Sequence, residues 1–576
     1  MTDRSGAALL RGSCALLFAA LLVSCGGGGG SSPFVPPGGG GGGGGGGGPP
    51  VTVSGSITFD RVPFSATARQ GLDFAGVVQA PVRGATVEAV QSAGQVVLAT
   101  TTTDANGAYS LSVAGSTDVF IRVRAEMVKT GSPAWNFSVR DNTNGEALYT
   151  LDGAVSTTGT AASTRNLNAP SGFTVGTGYT GTRAAAPFSI LDAVYQAFQL
   201  VLSAAPTASF PELRMQWSTR NVDCGPIVGQ PTFCDNSSAA FGRGEIGTTF
   251  FFPGTPSRIY VLGNADSDTD EFDQHVIAHE WGHYYQDRFS RDDSVGGEHS
   301  LNDRLDLRVA FSEGWGNAFA GMAKRDPVYR DSFGTRQQQG FEIDVESNSA
   351  PFPGWYSESS LQSIFYDVFD SANDGPDTVS LGFAPIHAVM TNEIRNTRAF
   401  TSVYPLILAL QANQAGSAAA IGTLATTQLI ATGGDDFGSN EINNGQDARN
   451  LPIYPLITAG AAPRQICSTA PAAIQGPYNK LGNRRYARFD LLAAGRATVT
   501  ATLVTGGGAA ISDPDIVLFG NGVELGRAEG TVNGSETLSN LSLPVGTYVI
   551  EVYEFSNIGG SSSRGDTCFN VQLAVS

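Results

Sequence analysis

Positive charge is in short supply. The chain has 34 lysines and arginines against 52 aspartates and glutamates, a formal net charge of -18. With no basic stripe along it, the surface repels nucleic acid and anionic membranes, so no nucleic-acid partner is expected. Cysteine is scarce too, six in 576 residues, and no CxxC spacing occurs, which argues against a cysteine zinc site. Long apolar runs are missing: the run Ala15 to Val23 is too short to stay in a bilayer as a spanning helix. Apolar content itself is ample. At 41% hydrophobic over 576 residues, the chain holds more than one core needs, and three or four domains are expected.

Arg4 and Arg11 ahead of that short run make residues 1–24 a secretory signal. Its end, Leu22-Val23-Ser24-Cys25, resembles the bacterial lipobox. That resemblance implies cleavage before Cys25, acylation of Cys25 and a lipid-anchored place in the bacterial cell envelope, on the outer membrane or cell surface and facing an extracytoplasmic space. Residues 25–50, dominated by Gly26–Gly30 and Gly38–Gly48, cannot form a core and read as a flexible tether. Setting aside Cys14 and Cys25, four cysteines remain in an exported chain, enough for two disulfides. Cys224 with Cys234 closes a local loop, and Cys467 with Cys568 ties the ends of the C-terminal region.

Residues 51–128 alternate short strands with Gly, Asp and Asn turns, and a hairpin turn is expected at Asn106-Gly107. The D-x-N-G-x-Y run from Asp104 to Tyr109 resembles the carboxypeptidase regulatory-like domain, a small β-sandwich. Residues 129–187 are rich in Thr and Gly and read as a linker or pro-like segment. From 188 to 461, helical periodicity beginning at Ile190 gives way to strands at Leu213–Trp217, Thr248–Phe252 and Arg258–Leu262, then to a helix from about Phe272 to Phe289. Residues 462–576 return to strands. Asp513-Pro514-Asp515 and Leu543 to Tyr548 there resemble the pre-peptidase C-terminal domain of secreted proteases. The expected fold class is α+β: a mixed sheet followed by helices, flanked by two all-β sandwiches.

The helix from Phe272 contains His279-Glu280-Trp281-Gly282-His283, an H-E-x-x-H pattern. Four residues apart, the two imidazoles share a helix face and can meet one ion, with Glu280 beside it to accept a proton from water. A catalytic zinc needs a third protein ligand. The metzincin continuation fails because residues 286 and 289 are Gln and Phe. Leu307 to Ala320 is an apolar helical stretch with Glu313 in its middle, and a buried unpaired carboxylate calls for a cation. His275 shares the face of the pair, but eight residues of helix span about 12 Å, too far for all three to reach one ion; it reads as a supporting or solvated side chain. Glu298 and His299, in a Gly-containing loop, stay open as alternative ligands.

The order F-D-x-x-V-I-A-H-E-x-x-H followed by Ser312-Glu313-Gly314-Trp315 is similar to thermolysin and especially to the fungalysin branch of the gluzincins, over roughly Arg258 to Asp370. The resemblance implies Zn²⁺ held by His279, His283 and Glu313, Glu280 as general base, a strand before the helix binding the substrate backbone, and a protein or peptide substrate cut internally. It departs from the family pattern at Asn317, where the family has an acid that orients a zinc-bound His. The residue steadying the oxyanion has no plain match. Aligning Ile364 to Val368 with the family's later helix brings Trp355 or Tyr356 near that role, Tyr356 is preferred, and His387 competes. Asp266, Asp268 and Asp270 precede the helix; with Glu271 where an EF-hand needs Gly and Ile277 at its twelfth place, they read as acids at a helix N-terminus, a Ca²⁺ site being the alternative. The competing function is a non-catalytic adhesion lipoprotein on a degenerate peptidase fold.

Overall fold

The computed structural model describes residues 48–223, 237–265, 267–372, 377–469, 479–504, 512–530, 534–558 and 565–576. The signal segment, Cys25, nearly all of the tether, the Cys224–Cys234 pairing and Asp266 lie outside the described residues. No helix among the described residues is long and apolar enough to cross a membrane.

Two-residue alternation is cleanest in the strand Ala108–Gly115, where Tyr109, Leu111 and Val113 are buried and their neighbours exposed. That strand runs antiparallel to Gly48–Arg61, which also takes Leu167–Ala169 as a parallel neighbour. A second sheet sets Thr86–Gln91 between Val97–Thr102 and Asp118–Arg124. The turn at Asp104 to Gly107 forms as its residues dictate: Asp104 Oδ1 accepts from the Asn106 and Ala108 N–H groups at 2.8 and 2.9 Å, and Gly107 takes φ +77°. It is not a hairpin turn, because the strands on its two sides pair in different sheets and the chain crosses between sheets there. A turn signal reverses the chain locally; it does not choose the strand's partner.

Residues 129–187 do not form a free linker but are built into the sheets. Trp135–Asp141 lies inside a sheet, parallel to Leu213–Trp217 and antiparallel to Glu126–Lys129, while Leu167–Ala169 completes the first sheet. The signal was there in the spacing of Phe137 and Val139, both fully buried, but the surrounding Thr and Gly masked it. One apolar core consequently joins Val53 and Phe59 to Trp281 and Phe319.

Helix α1 (Ala186–Ala204) packs on that core, and the short α2 (Ser238–Arg243) follows Ser237, whose side chain accepts the Ala240 N–H. The sheet runs in the order Phe250–Phe252, Ser257–Val261, Leu213–Trp217, Trp135–Asp141, Glu126–Lys129, which leaves Phe250–Phe252 at an edge. Helix α3 (Gln274–Phe289) packs beside that edge, α4 (Leu307–Lys324) packs on α3, and α5 (Glu358–Phe369) packs on α4. Asp306 caps α4 by accepting the Arg308 N–H at 3.0 Å. A hairpin of Val328–Phe333 and Gln339–Asp344 follows α4.

The C-terminal part is a sandwich of two four-stranded antiparallel sheets around a core of its own, including Ile466, Phe489, Ile516, Ile550 and Phe569. Cys467 and Cys568 face each other in neighbouring strands and form a disulfide. The sandwich is fastened to the start of α4. Arg308, 3% exposed in its side chain, bridges Asp306 at 3.0 Å and Glu551 of the sandwich at 2.8 Å, and the Lys480 ammonium donates to the Glu298 carbonyl at 2.7 Å.

Candidate metal centre

Helices α3 and α4 approach closely because each has a glycine at the crossing. A Cβ on Gly282 would come 3.4 Å from Gly316 Cα, and one on Gly316 would lie 2.7–2.9 Å from three atoms of the His279 ring. The Trp315 indole N–H donates to the Gly282 carbonyl at 2.9 Å, and Trp281 stacks on Phe319 at 5.3 Å between ring centres. These contacts set the rotation of α4, so that Glu313 faces the imidazole pair. Glu313 Oε2 is 3.3 Å from His279 Nε2 and 3.5 Å from His283 Nε2, and the two Nε2 atoms are 3.0 Å apart. All three side chains are nearly buried.

The far sides of both rings decide their tautomers. Asn317 Oδ1 lies 2.9 Å from His279 Nδ1, and its Nδ2 donates to Gln362 Oε1 at 3.0 Å, which leaves the oxygen to accept an imidazole proton. Ser312 Oγ donates to Gln286 Oε1 at 3.0 Å and so has a lone pair for His283 Nδ1 at 3.2 Å. With both Nδ1 atoms as donors, the two Nε2 atoms and a carboxylate face one small space. Two nitrogens and an oxygen of that kind fit zinc, which binds neutral imidazole and carboxylate with a fourth position left open. The same grouping meets the spacing for one ion, its ligand atoms lying within 4.8 Å of one another.

Glu280 sits beside the three, its Oε2 accepting the N–H of Phe251 in the edge strand at 2.7 Å. Burial raises its carboxyl above the ordinary range, against the pull of His279 and His283. For Glu313, burial works upward but His299 and His283 outweigh it and hold the carboxyl well below the usual value.

The remaining sequence candidates separate cleanly. The Tyr356 hydroxyl donates to Asn443 Oδ1 at 2.9 Å and to the Pro353 carbonyl at 3.3 Å. Trp355 donates to the Asn443 carbonyl at 2.8 Å. His387 Nδ1 faces the Tyr285 hydroxyl at 2.7 Å, and buried His275 faces the Asp326 carbonyl at 3.4 Å. None of these five contacts involves His279, His283 or Glu313. His299 does: its Nε2 lies 3.3 Å from Glu313 Oε2 and 3.4 Å from Glu358 Oε2, with 28% of the side chain exposed. Burial lowers its pKa, but Glu313 and Glu358 more than reverse that and push it up to about 10. Glu358, on the first turn of α5, is pushed up to about 7 by burial despite His299. Nothing in the sequence ties Glu358 to His299 59 residues earlier; the fold alone brings them together.

Residues 228–404 match the family model described as the Mycolysin C-terminal domain, a span that contains His279, Glu280, His283, His299, Glu313 and Glu358 and places them in a peptidase-related domain. No curated protein matches the chain. Among solved structures, the pre-peptidase C-terminal domain of a collagenase from Bacillus anthracis is 15% identical, covering 21% of this chain and 93% of its own, with a TM-score of 0.15. The Aeromonas hydrophila PliG periplasmic inhibitor of g-type lysozyme is 17% identical, covering 21% and 98%, with a TM-score of 0.13. At TM-scores this low neither neighbour defines the fold.

Proposed function

We propose that this chain is a zinc-dependent endopeptidase of the gluzincin type, exported and held at the bacterial cell envelope by lipid on Cys25. One observation carries the reading: two imidazole Nε2 atoms and a carboxylate from the neighbouring helix converge beside Glu280, with Asn317 and Ser312 behind the two rings. His279, His283 and Glu313 would hold the ion. When bound, zinc supplies Lewis acidity toward water and the scissile carbonyl.

The rest of the chemistry belongs to the chain. The Phe250–Phe252 edge strand offers backbone groups to an extended peptide, which then lies along α3. Glu280, steadied by the Phe251 N–H, accepts a proton from the attacking water at its carboxylate and returns it to the departing amine nitrogen. His299, whose Nε2 lies between Glu313 and Glu358, stands close enough to turn its N–H from these carboxylates toward the oxygen on which negative charge develops, the role also assigned to Tyr356 from the sequence. The buried contacts of Asn317 hold His279 in the binding tautomer without adding the charge an acid would bring.

The test is casein hydrolysis by the zinc-loaded full chain and by Glu280→Gln. Loss of a positioned general base is expected to slow cleavage roughly 10²–10⁴-fold while zinc content stays the same. Cleavage at the wild-type rate by Glu280→Gln would overturn the mechanism, and zinc binding without any turnover in the wild type would favour the adhesion reading instead.

A further inference from the structure

A second group of carboxylates sits at the N-terminal end of α3. Ligand oxygens of Asp268, Asp270 and Asp331 all lie within 4.8 Å of one another. Asp268 and Asp270 come from the chain entering α3, and Asp331 from the strand Val328–Phe333 of the hairpin after α4. Asp273, fully buried and next to α3, borders the group and locks it to the hairpin: its Oδ2 accepts the Ser332 N–H at 2.9 Å and the Ser332 hydroxyl at 2.7 Å.

These acids have no cationic partner. Among the described residues, no Lys, Arg or His makes an ion pair with Asp268, Asp270, Asp273 or Asp331; the nearby Arg183 is committed to Glu271. Asp270 is 3% exposed, and while its Oδ2 accepts from Thr249, its Oδ1 has no hydrogen-bond partner. One oxygen of Asp268, one of Asp331 and one of the buried Asp273 are likewise unpartnered. A buried, unpaired carboxylate is among the costliest groups to place in an interior, and here buried Asp270 and Asp273 are joined by partly buried Asp268 and Asp331. Burial holds these carboxyls above the ordinary range, Asp331 at about 7 and Asp268 at about 8, with repulsion from neighbouring acids adding to it at Asp268 and Asp270.

We propose that Asp268, Asp270 and Asp331 form a second metal site, for calcium, that clamps the start of α3 to the hairpin behind α4. Only hard oxygen donors are present, which suits calcium or magnesium and not zinc. The irregular, all-carboxylate set from two separate chain segments suits calcium, which accepts a flexible shell of oxygens at about 2.3–2.6 Å, whereas magnesium demands near-ideal octahedral geometry and keeps several waters. The site does not depend on the hydrolase reading. It does bear on the zinc cluster, because Asp273 begins α3 six residues before His279, and Tyr329, two residues before Asp331, has its ring 6.1 Å from the His279 ring.

The test uses the zinc-loaded full chain, freed of calcium and titrated with CaCl₂ and separately with MgCl₂, following heat and melting temperature. One calcium per chain, a rise in melting temperature and weaker magnesium binding are expected. Asp331→Asn and Asp268→Asn should each weaken calcium binding roughly tenfold or more while zinc content holds. In calcium-free buffer at a pH above 8, where both carboxyls are ionised, neither variant should melt below the wild type, since each removes a repelling charge. Absence of calcium binding to the wild type, binding undiminished in both variants, or magnesium binding as tight as calcium overturns the proposal. If Asp331→Asn fails to fold, the partly exposed Asp268→Asn and the wild-type stoichiometry still decide it.

Discussion

Two clusters of ligating side chains flank the first turns of α3, and they differ in what balances them. At His279, His283 and Glu313, one carboxylate faces two imidazoles whose outer nitrogens are engaged by Asn317 and Ser312. At Asp268, Asp270 and Asp331, every donor is a carboxylate and several oxygens have no partner at all. Donor chemistry separates the two: nitrogen with a single oxygen suits zinc, and oxygen alone suits calcium. The two clusters, one on α3 and α4 and one beside the start of α3, therefore suit different ions.

The sharpest way to break this contrast is Glu313→Ala. Zinc affinity is expected to fall by more than the roughly 10–100-fold typical of losing a ligand's hydrogen-bond partner, while calcium binding by titration is unchanged; equal loss of both ions would mean the clusters are one site. Gly316→Ala comes next. Its Cβ would lie 2.7–2.9 Å from the His279 ring, so a loss of about 1–3 kcal/mol in stability is expected, with weaker zinc binding, read from thermal unfolding and zinc competition. An unchanged melting temperature would show that the helices have room to part.

Asn317→Asp should act in the opposite direction and more gently. Charge behind His279 makes the ring a better ligand, so zinc should dissociate more slowly, by up to about tenfold in a chelator-competition assay. Faster dissociation would mean that the aspartate disturbs the Gln362 contact more than it helps the histidine.

A last effect, on pH dependence alone, concerns a buried acid outside either cluster. Burial, with Asp513 and Glu529 nearby, pushes Asp515 in the C-terminal sandwich up to about 8 from 3.8. The folded chain then holds a proton that the unfolded chain releases between those values, so Asp515 costs stability progressively as pH rises from about 4 to about 8. Asp515→Asn should flatten part of that decline in melting temperature; an identical pH profile would show that Asp515 titrates normally.

Legibility in the sequence follows the range of the interactions. The spacing of His279 and His283 is written within one helical turn, and Leu213–Trp217 was plain from its own residues. In the C-terminal region, the expected strands Ala497 to Leu503 and Gly546 to Tyr553 fall inside observed strands. What depended on distant partners stayed hidden. Asp331 joins acids some 60 positions earlier, Glu358 meets His299 across α4, and Trp135–Asp141 earns its place only beside Leu213–Trp217. Tyr356 was preferred by alignment to a helix, yet its hydroxyl is spent on Asn443 and Pro353. Single-turn patterns survive without a structure; contacts closed by the fold do not.

Zinc K-edge X-ray absorption on the zinc-loaded full chain addresses the metal centre most directly. A first shell of nitrogen and oxygen only, with two imidazoles at about 2.0–2.1 Å, is the expected result. A sulfur ligand, or fewer than two imidazoles, would contradict an ion held between α3 and α4 by His279, His283 and Glu313.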